Sequence, residues 1–448
     1  MLEKGDSLGG TWRDNVYPGC ACDVESHLYS FSFFPNTEWT CTFARQAEIR
    51  SYLEDVADRY RLRDRIRFGA TVAGAEWDGS GWDVRLADGE TIRARYVVFG
   101  TGALHEPSVP EIEGLDRFAG TVFHSAQWDH RHDLTGRNVA VIGTGASAVQ
   151  FVPAIAPRVR ALTLFQRTAP WVLPKPDKPI TERARRRFRR VPFARAAYRA
   201  ALYRRHEALV AGFLHPPVMQ AIQRLGQLYL RKVFAGDAEL RRKVTPTFTM
   251  GCKRILMSND YYPALRRDNV AVETGGISRI TERGVVTDDG VEHEADTIVF
   301  GTGFAVGDGM SRMAITGRDG VKLSDAWSDG SQALLGTTIA GFGEPVHDRR
   351  PEHRAGPQLD GADGRVAGEL RARRDAHGRR APRRRDRHPA GLAGRVQRRH
   401  RAPAGQGGVE PGRLRQLVPR RARAQPHPVA RLHVHVPPPR PPDRSVAS

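Results

Sequence analysis

The chain has 448 residues and a formal net charge of +20 at pH 7. Residues 351–448 contain 23 arginines, no lysine and 8 acidic residues, so this segment carries +15 of that charge. The basic composition therefore gives no reason to expect a specific nucleic-acid partner, and no 18-residue apolar run or charged-then-apolar leader predicts a membrane span or a signal peptide.

The amino-terminal stretch has the pattern of a dinucleotide-binding fold without its first strand and glycine motif. Glu3 ends a short apolar segment and precedes a glycine-rich loop with Gly9 and Gly10. An acidic residue of this kind stands about 20 residues after a glycine motif, where it holds a ribose hydroxyl. Because no such motif precedes Glu3, we expect a misassigned start codon or a truncated gene.

The segment Tyr17–Phe33 passes from turn residues into an aromatic run, with Asp23 at the junction. A carboxylate in this place suits a turn or cap as well as catalysis, and both interpretations stay open. The next segment, Phe43–Tyr60, has helical spacing with Ile49 and Val56 on one face, together with Leu53.

Residues 66–98 alternate apolar and polar side chains around turns at residues 78–81 and 87–90, which predicts a small antiparallel meander. The sequence then reads Phe-Gly-Thr-Gly at residues 99–102, and the same phrase returns at residues 300–303. Two buried strands with this ending indicate either one nucleotide-binding domain built twice or a chain that crosses between two such domains.

The clearest nucleotide pattern begins with the predicted strand Asn138–Ile142, which runs into a glycine turn and a helix. Gly143 makes the turn, Gly145 lets the backbone approach a phosphate, and Ala148 permits close helix packing. The pattern predicts a pyrophosphate site, and an ordinary strand–turn–helix without a ligand is the alternative.

A second predicted strand, Ala161–Phe165, is followed by Gln-Arg-Thr. In a dinucleotide-binding unit, the residue after this strand contacts the ribose of the nucleotide. An acidic residue there favours NAD, and an arginine accommodates the 2′-phosphate of NADP. Arg167 therefore predicts NADP, with a solvated arginine as the alternative.

Residues 181–240 have a helical, arginine-rich pattern that is interrupted by Pro192, Pro216 and Pro217. A charge run of this kind is usually a solvated face. The adjacent cations Lys253 and Arg254 follow in an irregular segment. The cysteines show no C-x-x-C pair or metal spacing, so we expect reduced thiols, no metal site and a cytoplasmic protein.

Residues 118–129 read Phe-Ala-Gly-Thr-Val-Phe-His-Ser-Ala-Gln-Trp-Asp. They resemble the signature Phe-x-Gly-x-x-x-His-x-x-x-Trp, followed by Pro or Asp, of the type I Baeyer–Villiger monooxygenases, which are class B flavin-dependent monooxygenases. Trp128 favours this branch, because relatives that oxidise nitrogen or sulfur usually carry Tyr there. The resemblance extends to about residue 343, and further similar motifs occur in the family's order at Gly9–Trp12, Tyr17–Tyr29, Gln166–Thr168 and Lys253–Arg254.

The resemblance implies bound FAD and NADPH and assigns roles to individual residues. Arg254 would be catalytic, and Asp23 would lie by the flavin ring and orient it. His124 would lie in the linker that couples cofactor binding to domain movement. Residues implied at the FAD are Glu3, Thr11 and Trp12. Residues implied at NADPH are Gly143, Gly145, Arg167, Thr168 and Lys253. Further cofactor-binding residues implied are Gly10, Tyr29, Thr101, Gly102, Ser147 and Ala148.

The implied reaction is a Baeyer–Villiger oxidation. NADPH would reduce FAD, the reduced flavin would capture O2 as a flavin peroxide, and one oxygen atom would enter a ketone to give an ester or lactone. A permanently charged guanidinium such as that of Arg254 suits a peroxide anion. The substrate would be a ketone or another lipophilic small molecule, and the oligomeric state is not indicated. The alternatives are a flavin enzyme that oxygenates nitrogen or sulfur, and an inactive remnant of the family.

We therefore expect an α/β protein with two Rossmann-like, three-layer dinucleotide-binding domains, a helical insertion and a disordered tail. The expected domains are a partial FAD domain (residues 1–125), an NADP domain (126–300) with its insertion (181–240), a return to the FAD domain (301–345) and the tail (346–448).

The tail departs from the family, which continues after residue 342 with an apolar strand and a Gly-Pro-Asn segment. Its abundance of Arg, Pro, Ala, Gly and His, without Lys, Ile, Asn or aromatic residues, is expected from out-of-frame reading of a GC-rich gene. If neither of the other two frames encodes a Gly-Pro-Asn-like continuation, this hypothesis is wrong. The alternative is a disordered tail that binds polyanions and releases them as salt rises.

Overall fold

A computed structural model of the chain describes residues 1–305, 310, 313–334, 336–343 and 346–347. The arginine-rich tail lies outside these described residues, so both explanations of it stay predictions. None of the helices in this described part combines the length and the apolar composition of a membrane span.

The described residues form nine α-helices. The helices are α1 (Thr11–Asp14), α2 (Gln46–Arg59), α3 (Ala146–Ile155), α4 (Glu182–Arg190), α5 (Pro192–Phe213), α6 (Pro216–Val233), α7 (Ala238–Val244), α8 (Tyr261–Leu265) and α9 (Leu323–Ala326). Short 3₁₀ turns lie at Arg63–Arg65, Leu115–Arg117, Ser125–Gln127 and Arg318–Gly320. The prolines that interrupt the predicted helical segment open α5 and α6, because proline suits the first helical turn.

Strands alternate with these helices along the chain. They are β1 (Val72–Trp77), β2 (Trp82–Leu86), β3 (Thr91–Ala94), β4 (Val98–Phe99), β5 (Thr121–His124), β6 (Asn138–Ile142), β7 (Ala161–Phe165), β8 (Val172–Leu173), β9 (Leu256–Met257), β10 (Val270–Glu273), β11 (Ile277–Ile280), β12 (Gly284–Thr287), β13 (Glu292–Glu294), β14 (Thr297–Phe300), β15 (Ala314–Thr316) and β16 (Val346–His347). The predicted strands β6 and β7 have the bounds that the sequence pattern indicated.

A five-stranded parallel sheet in the order β10-β7-β6-β14-β5 positions the glycine turn. Val139 on β6 pairs with Leu162 on one side and Thr297 on the other, so every strand ends at the same edge. Ligands of open parallel sheets bind at the carboxyl ends of the strands. The α/β fold class predicted from the sequence is confirmed by this sheet.

Both faces of this sheet are buried, which explains the continuous apolar runs in its strands. On one face, Val141 and Leu164 pack with Phe151 and Val152 of α3. The other face is covered by the meander β11-β12-β13. Burial of each such side chain contributes about 1.5–3 kcal/mol, and this packing holds the amino-terminal end of α3 at the carboxyl edge of the sheet.

The first part of the chain contains the predicted meander, β1-β2-β3, which is antiparallel. Strand β15 adds to it beside β1, so the chain returns to this sheet after residue 301. The two Phe-Gly-Thr-Gly phrases lie in separate sheets, because β4 pairs with β16 and β14 lies between β6 and β5. Assignment of these sheets to FAD and NADP domains stays a prediction.

Candidate functional site

The glycine turn after β6 brings the amino-terminal end of α3 close to the sheet. Gly143 has φ 104°, and a Cβ there would lie 2.7 Å from the carbonyl oxygen of Gly301. A Cβ on Gly301 would in turn lie 3.0 Å from Cβ of Ala148. Only small residues fit where the glycine turn and the start of α3 approach Gly301. The first turn of α3 contains no acidic residue, so its amide groups and the helix dipole favour an anion.

The other residues predicted near the turn lie on both sides of it. Ser147 is in the first turn of α3 beside the hydroxyl of Tyr17. Thr144 Oγ1 donates a hydrogen bond to the carbonyl oxygen of Thr168 over 3.1 Å, which fixes the segment after β7 against the glycine turn. Arg167, next to Thr168, is exposed. The structure therefore places Arg167 in the segment that flanks the turn, where the spacing of the motif puts a ribose.

Asp23 and Arg254, which are 231 positions apart, form an ion pair in which Arg254 Nη2 donates to Asp23 Oδ2. The side chains remain 28% and 43% exposed, so the pair stays open to a ligand. The adjacent Lys253 is also exposed, and its Nζ lies 4.9 Å from the ring centre of Phe248. The two predicted catalytic residues are thus in contact.

Gln150 of α3, a residue that the sequence analysis missed, fixes the loop that carries Asp23 to this helix. The hydroxyl of Tyr17 donates to Gln150 Oε1 over 2.9 Å, and Gln150 Nε2 donates to the carbonyl oxygen of Ala21 over 2.9 Å. A glutamine inside an apolar helix was the only signal in the sequence. The contact links α3 to the loop at Ala21, two residues before Asp23.

A second cation, Lys175, lies under the same loop. Its Nζ donates to the carbonyl oxygen of Cys22 over 2.9 Å and lies 4.7 Å from the ring centre of Phe43. Burial lowers the pKa of Lys175, and the charges of Asp177 and Asp23 oppose that shift. Lys175 therefore adds positive charge beside the carboxylate that pairs with Arg254.

Helix α5 of the helical insertion holds the segment that follows Asp23. Glu25 is 3% exposed; His206 Nε2 lies 2.6 Å from its Oε2, and Arg205 pairs with its Oε1. Burial, followed by the charge of Arg205, lowers the pKa of His206. Arg199 Nη1 donates to the carbonyl oxygens of three residues, which are His27 (2.7 Å), Leu28 (3.1 Å) and Ser30 (3.0 Å).

Replacement of Glu25 by alanine is expected to lower the free energy of unfolding by about 2 kcal/mol, because it removes a buried carboxylate from its two partners while Arg205 stays half exposed. Urea denaturation followed by circular dichroism measures this loss. Glu182, which pairs with Arg189 at the surface, supplies the control variant Glu182→Ala. Equal losses in the two variants would contradict a special role for the buried carboxylate.

The residues implied at FAD lie around the short helix α1. Glu3 Oε1 accepts hydrogen bonds from Arg13 Nη1 (3.0 Å) and from the amide of Gly5 (2.8 Å). Side-chain hydrogen bonds to Asp14 and Glu3 raise the pKa of Arg13, although its partial burial opposes this shift. The carboxylate of Glu3 is therefore fixed in place by Arg13.

The aromatic residues implied at FAD contact each other. Trp12 Nε1 donates to the hydroxyl of Tyr29 over 2.9 Å, and their rings meet edge to face. Thr11 is exposed at the start of α1, after Gly10 with φ 48°. The remaining implied residues, Thr101 and Gly102, follow β4, where Thr101 is exposed and Gly102 has φ 83°.

His124 ends β5 and is only 3% exposed. Its Nδ1 accepts a hydrogen bond from the amide of Ala126 over 3.1 Å, and its ring lies 5.7 Å from that of Phe304. Burial lowers the pKa of His124. The amide of Ser108 also donates to the carbonyl oxygen of Gly303 over 2.9 Å, so the segments after β4 and β14 are in contact near His124.

Comparison with known proteins gives agreeing results. A family model described as pyridine nucleotide-disulphide oxidoreductase matches residues 29–201. A Baeyer–Villiger monooxygenase from Pseudomonas aeruginosa is 52% identical over 345 residues, which cover 76% of this chain and 65% of the relative. One from Streptomyces coelicolor is 48% identical over 345 residues, covering 76% of this chain and 66% of the relative.

Among solved structures, an oxidised steroid monooxygenase bound to NADP has 31% identity and a TM-score of 0.74, with 84% of this chain and 79% of that chain covered. The chain spans slightly less than two thirds of the length of the two bacterial relatives. The signature at residues 118–129, the architecture and these identities show that the chain belongs to the type I Baeyer–Villiger monooxygenase family of class B flavin-dependent monooxygenases.

Proposed function

We propose that the chain is an FAD- and NADPH-dependent monooxygenase that inserts one oxygen atom of O2 into a ketone and forms an ester or lactone. The observation that carries the proposal is the contact between Arg254 and Asp23 beside the loop held by α3. Family membership supports the reaction class, since relatives at 52% and 48% identity are named for it.

The described residues fit NADPH well. The turn of Gly143 and Gly145 leaves room for backbone amides to contact a pyrophosphate, and the start of α3 adds its dipole. Arg167 and Lys253 are exposed cations for a 2′-phosphate. Near Glu3, the described residues offer ribose and ring contacts for FAD.

Bound FAD, reduced by NADPH, would supply the activated oxygen, and the chain's own residues would control its charge and position. The planar guanidinium of Arg254 offers positive charge and several donors, which would stabilise negative charge that develops on oxygen. Asp23 holds the guanidinium in one orientation. Because a fixed charge needs no reorganisation during the reaction, this pair is better suited to the step than mobile solvent.

Oxygenation of nitrogen or sulfur is the second candidate reaction, and Trp128 in the signature disfavours it. An assay that offers a ketone, a thioether and an amine to the same preparation separates the two reactions. A location in the cytoplasm and a lipophilic substrate remain proposals.

The direct test adds FAD to the purified full chain and measures flavin absorbance, NADPH oxidation and ester formation from a ketone. A yellow protein that couples NADPH oxidation to ester formation supports the proposal. A colourless protein that oxidises no NADPH would contradict it and would indicate a non-catalytic member of the family.

Replacement of Arg167 by alanine should weaken NADPH binding about tenfold or more, because charged hydrogen bonds to a phosphate are lost. Binding of NADH should change little, since NADH has no 2′-phosphate. Fluorescence titration of both nucleotides measures the ratio. Arg266, which is exposed beyond α8, supplies the control variant Arg266→Ala; an unchanged preference in the Arg167 variant would exclude this residue from phosphate recognition.

A further inference from the structure

A small cavity of about 110 Å³ lies between the first turns of α5 and the segment that follows Asp23. None of the residues implied in FAD or NADPH binding lines it. Its polar lining comes from His27, Ser30, Ser32, Asn36, Arg195 and Arg199. The lining includes no acidic residue, although two arginines and a histidine face the same space.

His27 is the most buried polar residue of this lining, with 5% of its surface exposed. Its ring packs edge to face against Phe188 (4.7 Å) and Tyr198 (5.4 Å), which fixes its orientation. Within the described part of the chain, His27 Nε2 is buried without a hydrogen-bond partner. An unpaired buried donor or acceptor is costly, so the position is suited to a ligand that completes its hydrogen bonding.

The charges around His27 favour a negative ligand. Burial, followed by the charges of Arg195 and Arg199, lowers the pKa of His27 to about 4. The imidazole is therefore neutral, and the two guanidinium groups make the site positive. Arg199 is held by the backbone carbonyl oxygens of His27 and Ser30, so its position is fixed. Arg195 lies in the first turns of the 22-residue helix α5, where the helix dipole also favours an anion.

We propose that this cavity, the oxyanion cavity, binds one small oxyanion, either an inorganic phosphate or the carboxylate of a small acid. Pockets for drug-sized ligands measure about 300–1,000 Å³, so a cavity of about 110 Å³ suits a phosphate-sized group better than a nucleotide. Arg195, Arg199 and His27 Nε2 bind its oxygens, and the hydroxyl of Ser32 can add a hydrogen bond. The bound ion connects α5 to the segment after Asp23 and adds to the contacts of Glu25 with the same helix.

Calorimetric titration of the full chain with inorganic phosphate, and separately with acetate, tests the proposal at constant ionic strength set by chloride. The expected result is saturable binding in which one site per chain depends on Arg195. Replacement of Arg195 by methionine should weaken it about tenfold or more, because a charged hydrogen bond is lost. Arg204, an exposed arginine on the same helix, supplies the control variant Arg204→Met, which should bind like the parent.

The variant His27→Phe keeps an aromatic ring against Phe188 and removes the nitrogen, so it should also weaken binding while circular dichroism stays unchanged. Whichever of phosphate and acetate binds more tightly identifies the bound oxyanion as a phosphate or a carboxylate. Binding that does not saturate, or that falls equally in the Arg195 and Arg204 variants, would overturn the proposal and indicate diffuse attraction to basic residues elsewhere.

Discussion

Replacement of Arg254 by alanine should lower ester formation by about 10²-fold or more while NADPH oxidation continues. The guanidinium is the permanent positive charge that Asp23 holds at the candidate site, and removal of one fixed donor from developing negative charge costs about that much. Reduction of the cofactor does not require this charge, so oxygen should leave as hydrogen peroxide. Parallel measurement of NADPH consumption, peroxide and ester determines the coupling.

Two further variants make the Arg254 test specific. Arg254→Lys keeps the charge but loses the planar group with several donors, so ester formation should recover only in part. Arg266→Ala removes an exposed arginine and should leave coupling unchanged. Ester formation at the parental rate in Arg254→Ala would remove Arg254 from the mechanism.

The strand–turn–helix unit around Gly143 could be predicted from the sequence because its signal is local. Strand β6, the turn at Gly143 and helix α3 occupy consecutive positions, and each glycine is required by backbone geometry within that stretch. The segment with Arg167 follows at the fixed spacing of one more helix and strand. Local periodicity and turn chemistry therefore determine this part of the fold.

The pairing of Asp23 with Arg254 could not be derived from the residues alone. The two positions are 231 residues apart, and taken separately a turn carboxylate and an exposed cation are ordinary features. Only the resemblance to a family brought them together. The structure supplies the physical reason for their contact, because Gln150 attaches the Asp23 loop to α3.

The helical insertion shows where sequence patterns reach their limit. Its arginine run was interpreted as a solvated face, and Arg186, Arg187 and Arg190 of α4 are indeed exposed. Arg199 and His206 on the next helix instead hold the segment around Glu25. Their partners lie more than 160 positions away along the chain, so no helical period could identify these contacts.

Replacement of Gly143 by alanine should destabilise the chain and abolish NADPH binding together. The residue has φ 104°, which is unfavourable for any side chain, and its new Cβ would lie 2.7 Å from the backbone oxygen of Gly301. Strain of this kind costs about 1–3 kcal/mol, and relief requires the turn to move away from β14. Urea denaturation and a fluorescence titration with NADPH measure the two effects.

The variant Gly145→Ala distinguishes an effect on ligand binding from an effect on folding. Gly145 lies in the same turn as Gly143 but has an ordinary backbone conformation, φ −69°. A Cβ there would lie 3.1 Å from the carbonyl oxygen of Gly301, so Gly145→Ala should cost less stability than Gly143→Ala. Its methyl group would still keep a pyrophosphate away from the amides of the turn, and loss of charged hydrogen bonds should weaken NADPH binding about tenfold or more. Parental NADPH affinity in a folded Gly145→Ala variant would show that the turn is structural and that the pyrophosphate binds elsewhere.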